Sequence, residues 1–397
     1  MHALFVDVRG RRVVVVGGGP VAARRAARLV EDGADVLVVA PEVCEDLAAL
    51  VATAQRPGVR WEQREYVTGD LQGAWLVHTA TGVRSTDARV AADAESARVW
   101  CVRADDAARS SAWTPAVARA DDVQVAVSAG ADPVRAARLR SAIALLLDTG
   151  ALPLRRHRPN PVGDVTLVGG GPGDPALITT KGRRALAQAD VVVVDRLAPR
   201  ELLGELDPDV EVIEAGKAPH AHTLTQSEIN AVLVERAAAG KRVVRLKGGD
   251  PYVLGRGGEE VQACVAAGVP VTVIPGVTSA IAGPAAAGIP VTHRGLARQL
   301  TIVSAHDTTP DWASLARLEG TLVLLMGVAR LREYADALVA HGRGAATPVA
   351  VVENATLPGQ RTTVGTLATI AERARERGVA SPAVIVVGDV AALADVG

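Results

Sequence analysis

VVVVGGGPVAARRAARLV, residues 13–30, and VTLVGGGPGDPALITTKG, residues 165–182, share a Gly-Gly-Gly-Pro core and diverge directly after it. In the first, β-branched residues lead into the glycine turn and an uninterrupted helical stretch follows. This is a strand–turn–helix entry of the Gly17-x-Gly19-x-x-Ala22 type, in which a pyrophosphate approaches bare backbone at a helix N-terminus. In the second, Pro172 and Pro175 flank Gly173-Asp174. Pro175 has no amide hydrogen and disfavours α geometry at Asp174, so a helix can begin only at about Pro175. That spacing suits a rigid loop packed on a different ligand. The chain therefore reads as two ligand-binding units.

Outward from the first motif, strand-like runs at 12–16, 36–39, 75–79 and 98–102 alternate with helical segments, of which 22–31 is the clearest. Alternation of this kind predicts a parallel sheet with right-handed crossovers. A further strand is expected at 123–130, then an amphipathic helix at 131–147 with Asp132 as N-cap and Pro133 in its first turn. The proline- and arginine-rich stretch 149–163 has no periodicity and reads as a linker. From Asp164 a fresh alternation predicts strands at 165–168, 191–194, 210–213, 242–246, 271–274, 300–303, 322–326, 349–352 and 384–387. That many strands exceed one comfortable open sheet, so two α/β lobes are expected, with the break near 288–295.

The 397 residues, 49% hydrophobic and 22% charged, are enough for two to three domains with real cores. A net charge of -1 gives no field to steer the chain toward nucleic acid or anionic lipid, and 2% aromatic content is too low for base-stacking platforms. Neither partner is expected. No apolar run reaches the ~20 residues of a membrane span. Cys44, Cys101 and Cys264 are far apart without C-x-x-C spacing, so neither a disulfide framework nor a thiolate metal site is indicated, and a cytoplasmic location is expected. Lys181, Lys217, Lys241 and Lys247 are the only lysines among 43 basic residues. Either the composition is biased toward arginine, or lysine is kept where a compact, titratable ammonium is needed.

Four glycine- or proline-rich loops follow strands in the second half: GGGPGDP (169–175), KGGDPYVLGRGGEE (247–260), PGVTSAIAG (275–283) and VENATLPGQR (352–361). Open α/β sheets place ligands at such strand ends, where backbone amides and carbonyls are free. In this order the loops resemble the tetrapyrrole methylases, specifically the uroporphyrinogen-III C-methyltransferases, over essentially all of 164–397, with RLKGGDPYVLGRGGEE the most diagnostic run. The resemblance implies S-adenosylmethionine contacts at Pro172, Gly248, Gly249, Asp250, Val253, Thr278, Ser279, Met326 and Ala355. The family often has isoleucine at Val253 and glycine at Ala355. A sulfonium ligand needs an apolar cradle, nearby carbonyl oxygens and a carboxylate for its polar groups, and Asp250 can supply the last. Asp195 and Lys217 match the family's proton acceptor and donor, and the pyrrole that attacks the methyl group must later shed a proton. Without the motif, Asp195 reads as a helix cap at a strand end and Lys217 as a solvated loop charge. His293-Arg294 fits a substrate carboxylate contact or a cap equally well.

In the first half, the strand after the helix ends at VVAPE (38–42), where the usual ribose-binding acid is replaced by Ala40. A dinucleotide is then expected to meet Gly17, Gly19, Pro20, Val21, Pro41 and a displaced Glu42. Placed before a methylase, the runs HTATG (78–82), VWCVRADDAARSSAW (99–113) and VAVSAGADP (125–133) resemble the precorrin-2 dehydrogenase/sirohydrochlorin ferrochelatases. The whole chain thus resembles the fused siroheme synthases. Asp105 falls where that family has an aspartate serving both hydride removal and metal insertion, and Ser128 matches a serine of the same pocket; on its own Asp105 reads as an exposed turn acid. The family's asparagine is Val102 here, its ATDD segment is Ala80-Thr81-Gly82-Val83, and the helical segment between domains is much shorter than in the fused enzymes.

The expected class is therefore α/β: an N-terminal Rossmann-like NAD domain followed by a two-lobed tetrapyrrole methylase (class III methyltransferase) domain. The expected boundaries are 1–113 for the dehydrogenase/chelatase domain, 114–150 for a short helical dimerisation segment, 151–163 for the linker and 164–397 for the methylase, with lobes of about 164–290 and 291–397. The resemblance implies methylation of uroporphyrinogen III to precorrin-2, NAD-dependent oxidation to sirohydrochlorin, and ferrous iron as a substrate held transiently near Asp105 and Ser128, with no permanent metal site. It also implies a homodimer. Two other readings stay open: a monofunctional methylase with a non-catalytic dinucleotide-binding or dimerising N-terminal domain, and a methylase for another corrinoid.

Overall fold

The computed structural model describes residues 2–53, 58–130, 132–157, 162–216, 224–305 and 310–394. The chain divides into two compact units, 1–118 with 124–141, and 119–123 with 142–397.

The first unit is built on β1 (Arg12–Val16), α1 (Pro20–Glu31), β2 (Asp35–Val39), α2 (Glu45–Thr53), β3 (Val59–Glu62), β4 (Leu76–Thr79), α3 (Arg84–Ala97) and β5 (Trp100–Arg103). Its sheet runs β3-β2-β1-β4-β5 with every neighbour parallel. The strand order reverses at β1, so the β1–α1 glycine turn stands at the topological switch point, where open α/β sheets bind ligands. Apolar clusters cover both faces, one around Val13, Val15, Ala22 and Ala26, the other around Val14, Val16, Val77 and Val90. The 114–150 segment is not helical throughout: the strand expected at 123–130 is present as β7 (Val123–Val127) and pairs with a further strand, β6 (Ala116–Ala120), before α4 (Pro133–Asp148). Asp132 does cap α4, its Oδ1 accepting from the Arg135 N–H at 3.0 Å.

The second unit carries β8 (Asp164–Gly169), α5 (Thr180–Ala187), β9 (Val191–Val194), β10 (Glu211–Glu214), α6 (Gln226–Ala238), β11 (Arg242–Lys247), α7 (Gly257–Ala266), β12 (Val271–Ile274) and α8 (Ser279–Ala286). These give a parallel sheet in the order β10-β9-β11-β8-β12. The all-valine β9 is fully buried, as expected of a parallel strand covered on both faces. The second lobe holds β13 (Leu300–Ser304), α9 (Trp312–Arg317), β14 (Thr321–Leu325), α10 (Leu331–Ala340), β15 (Pro348–Glu353), β16 (Arg361–Thr366), α11 (Ile370–Glu376) and β17 (Ala383–Val387). Its mixed sheet runs β13-β14-β17-β15-β16, parallel only between β13 and β14. The expected two lobes are present, and the sheets change over between α8 and β13. The linker is anchored where it is described: Arg155 pairs with Asp190 at 3.2 Å and Asp207 at 2.9 Å.

Candidate functional site

In the second unit the parallel strands β8, β9, β11 and β12 all deliver their C-terminal loops to one edge of the sheet. Gly171 and Gly249 exchange backbone hydrogen bonds across the first two loops, at 3.2 and 2.7 Å. The Asp250 carboxylate then ties two loops together: Oδ1 accepts from the Tyr252 N–H at 2.8 Å and Oδ2 from the Gly276 N–H at 3.0 Å. The approach is too close for any side chain at 276, since a Cβ there would stand 2.3 Å from the Gly249 carbonyl oxygen. A Cβ on Gly249 would stand 3.7 Å from Thr278 and Ser279. Thr278 caps α8, and Ala280 beside it packs in one apolar cluster with Ala355. Thr356 returns to the start, its Oγ1 accepting from the Asp174 N–H at 3.1 Å. Asp174 in turn caps a short 3-10 turn at Pro175–Leu177, where a helix was expected to become possible.

The loops expected to hold the sulfonium cosubstrate thus form a closed ring through Gly249, Asp250, Thr278, Ser279 and Ala355, with Pro172 and Gly248 in the same two loops. Val253 is half-buried and its N–H donates to the Asp250 carbonyl at 3.3 Å. Met326 follows β14 with φ 61, and Asn354 and Thr356 follow β15 with φ 46 and 69, conformations rare for residues with a Cβ and typical of ligand-clamping loops. Tyr252, Leu254, Val277 and Ile281 of these loops, with Leu197 after β9 and Met326 after β14, leave large apolar surface exposed. His293 is spent locally, its N–H on the Ala297 carbonyl and its ring on the Arg294 carbonyl.

Asp195 follows β9. Its Oδ1 accepts from Arg245 at 2.6 Å, and its Oδ2 lies 3.8 Å from Lys247 Nζ. Both cations also reach Glu260 Oε1. Lys217 lies outside the described residues. Lys247 stood out in the sequence only as one of four lysines, and Arg245 and Glu260 were not singled out. The available signal was a strand of buried character, RVVRLK, carrying charges two residues apart, which the pleat turns to one face.

In the first unit Gly17 has φ 125, and a Cβ there would stand 2.3 Å from the Ala80 carbonyl oxygen. Gly19 caps α1 without a side-chain bond, Pro20 opens the helix, and its first turn carries no acid. The helix itself thus sets no acid against the amides of that turn, which fits a bound pyrophosphate. Val21, Pro41 and Glu42 are exposed beside it. The Asp87 carboxylate secures the turn after β4, accepting from the Thr79 and Thr81 hydroxyls and, at 3.2 Å, from the Thr81 N–H. His78 is buried on β4, where burial pushes its pKa down to about 3 and keeps it neutral. Asp105 is gripped at both oxygens by Arg103, Nε to Oδ1 at 3.0 Å and Nη2 to Oδ2 at 2.7 Å, which holds its carboxyl below the usual range. Ser128 is exposed at the end of β7.

Residues 164–371 match the model of the tetrapyrrole (corrin/porphyrin) methylases and residues 4–116 that of a putative NAD(P)-binding family. The siroheme synthase of Tolumonas auensis is 37% identical over 450 aligned positions, covering 99% of this chain and 95% of its own. This chain belongs to the siroheme synthase family. Over the methylase half, the S-adenosyl-L-methionine-dependent uroporphyrinogen III methyltransferase of Methanosarcina barkeri is 51% identical, covering 59% of this chain and 94% of its own. The crystal structure of a Thermus thermophilus uroporphyrin-III C-methyltransferase, solved with S-adenosyl homocysteine, superposes with TM-score 0.50 at 42% identity, covering 57% of this chain and 93% of that one.

A siroheme synthase matching through both units sets aside the monofunctional alternative. The alignment has more positions than this chain has residues, so it opens gaps in this chain.

Proposed function

We propose that the second unit methylates uroporphyrinogen III to precorrin-2 with S-adenosylmethionine, and that the first oxidises precorrin-2 to sirohydrochlorin with NAD. Ferrous iron is a further substrate, held transiently near Asp105 and Ser128. The closed ring of loops around Gly249 and Asp250, on a chain that aligns end to end with siroheme synthases, carries this reading. When bound, S-adenosylmethionine supplies the methyl group and NAD accepts a hydride.

Each methyl transfer forms a C–C bond, breaks an S–C bond and leaves the macrocycle with one proton to lose. Asp195 takes that proton: Arg245 fixes its Oδ1 and leaves Oδ2 open to other partners. Lys217 is assigned the donor role. Pro172, Gly248, Gly249, Asp250, Val253, Thr278, Ser279, Met326 and Ala355 hold the cosubstrate, and the exposed apolar side chains of the same loops take the macrocycle face. In the first unit Gly17, Gly19, Pro20, Val21, Pro41 and Glu42 hold the dinucleotide, and Asp105 receives the proton lost with the hydride. The protein works as a cytoplasmic homodimer that engages neither nucleic acid nor membrane.

Incubating the purified chain with uroporphyrinogen III and S-adenosylmethionine, then adding NAD and finally ferrous iron, should give the absorbance of precorrin-2, sirohydrochlorin and siroheme in turn. A reaction that stops at precorrin-2 in the presence of NAD would overturn the two-activity reading.

A further inference from the structure

Arg245 and Lys247 are 1% and 2% exposed, and Glu260 is 0% exposed on α7 beside them. Glu260 Oε1 accepts from Arg245 Nε at 3.0 Å, from Lys247 Nζ at 3.1 Å and from Gln226 of α6 at 3.3 Å. Its Oε2 is buried without a partner among the described residues. Asp195 completes a balanced quartet of two cations and two carboxylates, and with a side chain 32% exposed it is the member that reaches solvent. Stability alone does not account for such a cluster, because buried ion pairs are often no better than apolar residues of similar volume. Position 247 is also one of four lysines in a chain of 39 arginines, and it stands beside an arginine that already supplies a fixed charge.

We infer that Lys247 is a positioning residue that sets the basicity of Asp195 through its own proton. The inference rests on the reading of Asp195 as proton acceptor. Burial pushes Lys247 below the usual lysine range and Arg245 adds to this, while Glu260 and Asp195 oppose it; Glu259 on the same helix lies in the same field. With Lys247 charged, the proton leaving the macrocycle meets two cations beside Asp195. Once Lys247 is neutral it meets Arg245 alone, and less positive charge opposes its transfer.

The test is the pH dependence of kcat for uroporphyrinogen methylation by the full chain at saturating substrates. The expected kcat rises with pH through a value below the usual lysine range. Glu260→Gln removes a carboxylate that favours the ammonium, so the limb moves to lower pH. The double variant Lys247→Met/Glu260→Gln removes one cation and one anion; it should lose the limb and hold kcat near the wild-type high-pH plateau across the range, with KM for S-adenosylmethionine unchanged. A lysine with a purely structural role would alter stability without moving the limb. A wild-type limb in both variants overturns the inference, and if the double variant does not fold, Glu260→Gln decides alone. Asp195→Asn is measured alongside: full activity there refutes the acceptor reading and the inference with it, whereas a slow Asp195→Asn with an unmoved limb in the other variants refutes the inference only.

Discussion

Asp105 and Asp195 occupy equivalent places in their units, each in the loop after a parallel strand and each held by an arginine. The grip differs. Arg103 takes both oxygens of Asp105 in a fork from two residues away, an arrangement that local sequence can build and that saturates the carboxylate. Arg245 takes one oxygen of Asp195 from a neighbouring strand, and the second cation near it is a titratable lysine. A forked carboxylate is a weak base until it is released. A carboxylate held at one oxygen keeps its direction and leaves the other oxygen for chemistry.

The largest expected effect tests the Asp195 side of this contrast. Asp195→Asn should slow methyl transfer by about 10²–10⁴, read as S-adenosyl homocysteine formed from uroporphyrinogen III, while NADH formation from supplied precorrin-2 is unchanged. A parallel fall in both would break the separation between the units. Glu260→Ala leaves Arg245 and Lys247 buried without their shared anion and should cost about 3–5 kcal/mol of stability, measured as the denaturant midpoint of the second unit. A wild-type midpoint would show that the quartet is not one interdependent cluster.

Asp250→Ala should weaken S-adenosylmethionine binding by about 1.5–3 kcal/mol in calorimetric titration, through the lost carboxylate and the freed Gly276 amide together; an unchanged affinity removes Asp250 from the site. The smallest effect concerns the forked acid. Arg103 depresses the Asp105 pKa, so Arg103→Val lets it rise toward the ordinary carboxylate value, and the basic form is then lost at higher pH. The acid limb of NADH formation should therefore move to higher pH. A limb that stays in place would mean that Asp105 does not carry the proton.

The misses in the strand reading have a common cause. β3 and β16 lie at sheet edges, and β6 belongs to a two-stranded sheet. Such strands bury little: VRWE, RTTVGT and AVARA lack the continuous apolar run that marks a strand covered on both faces. Within 114–150 the strand expected at 123–130 is β7 and the expected helix is α4, and only β6 was not foreseen. The glycine loops were legible because close approach and a pre-proline residue leave few alternatives, as at Gly17, Gly276 and Asp174.

What the sequence determined by itself was whatever depends on neighbours along the chain: the alternation of strands and helices, the extended Asp174 before the turn at Pro175, the cap at Asp132, and the order of glycine loops that marks the family. Even the Arg103–Asp105 fork belongs to that class, since it spans two residues. What only the tertiary structure decided was the company of Asp195. Arg245 and Glu260 lie 50 and 65 positions further along, and Lys247 faces Asp195 only because β11 pairs in parallel with β9 while α7 lays Glu260 across the same face. Charges buried together must be balanced together, and that balance is a property of the packed sheet and helix.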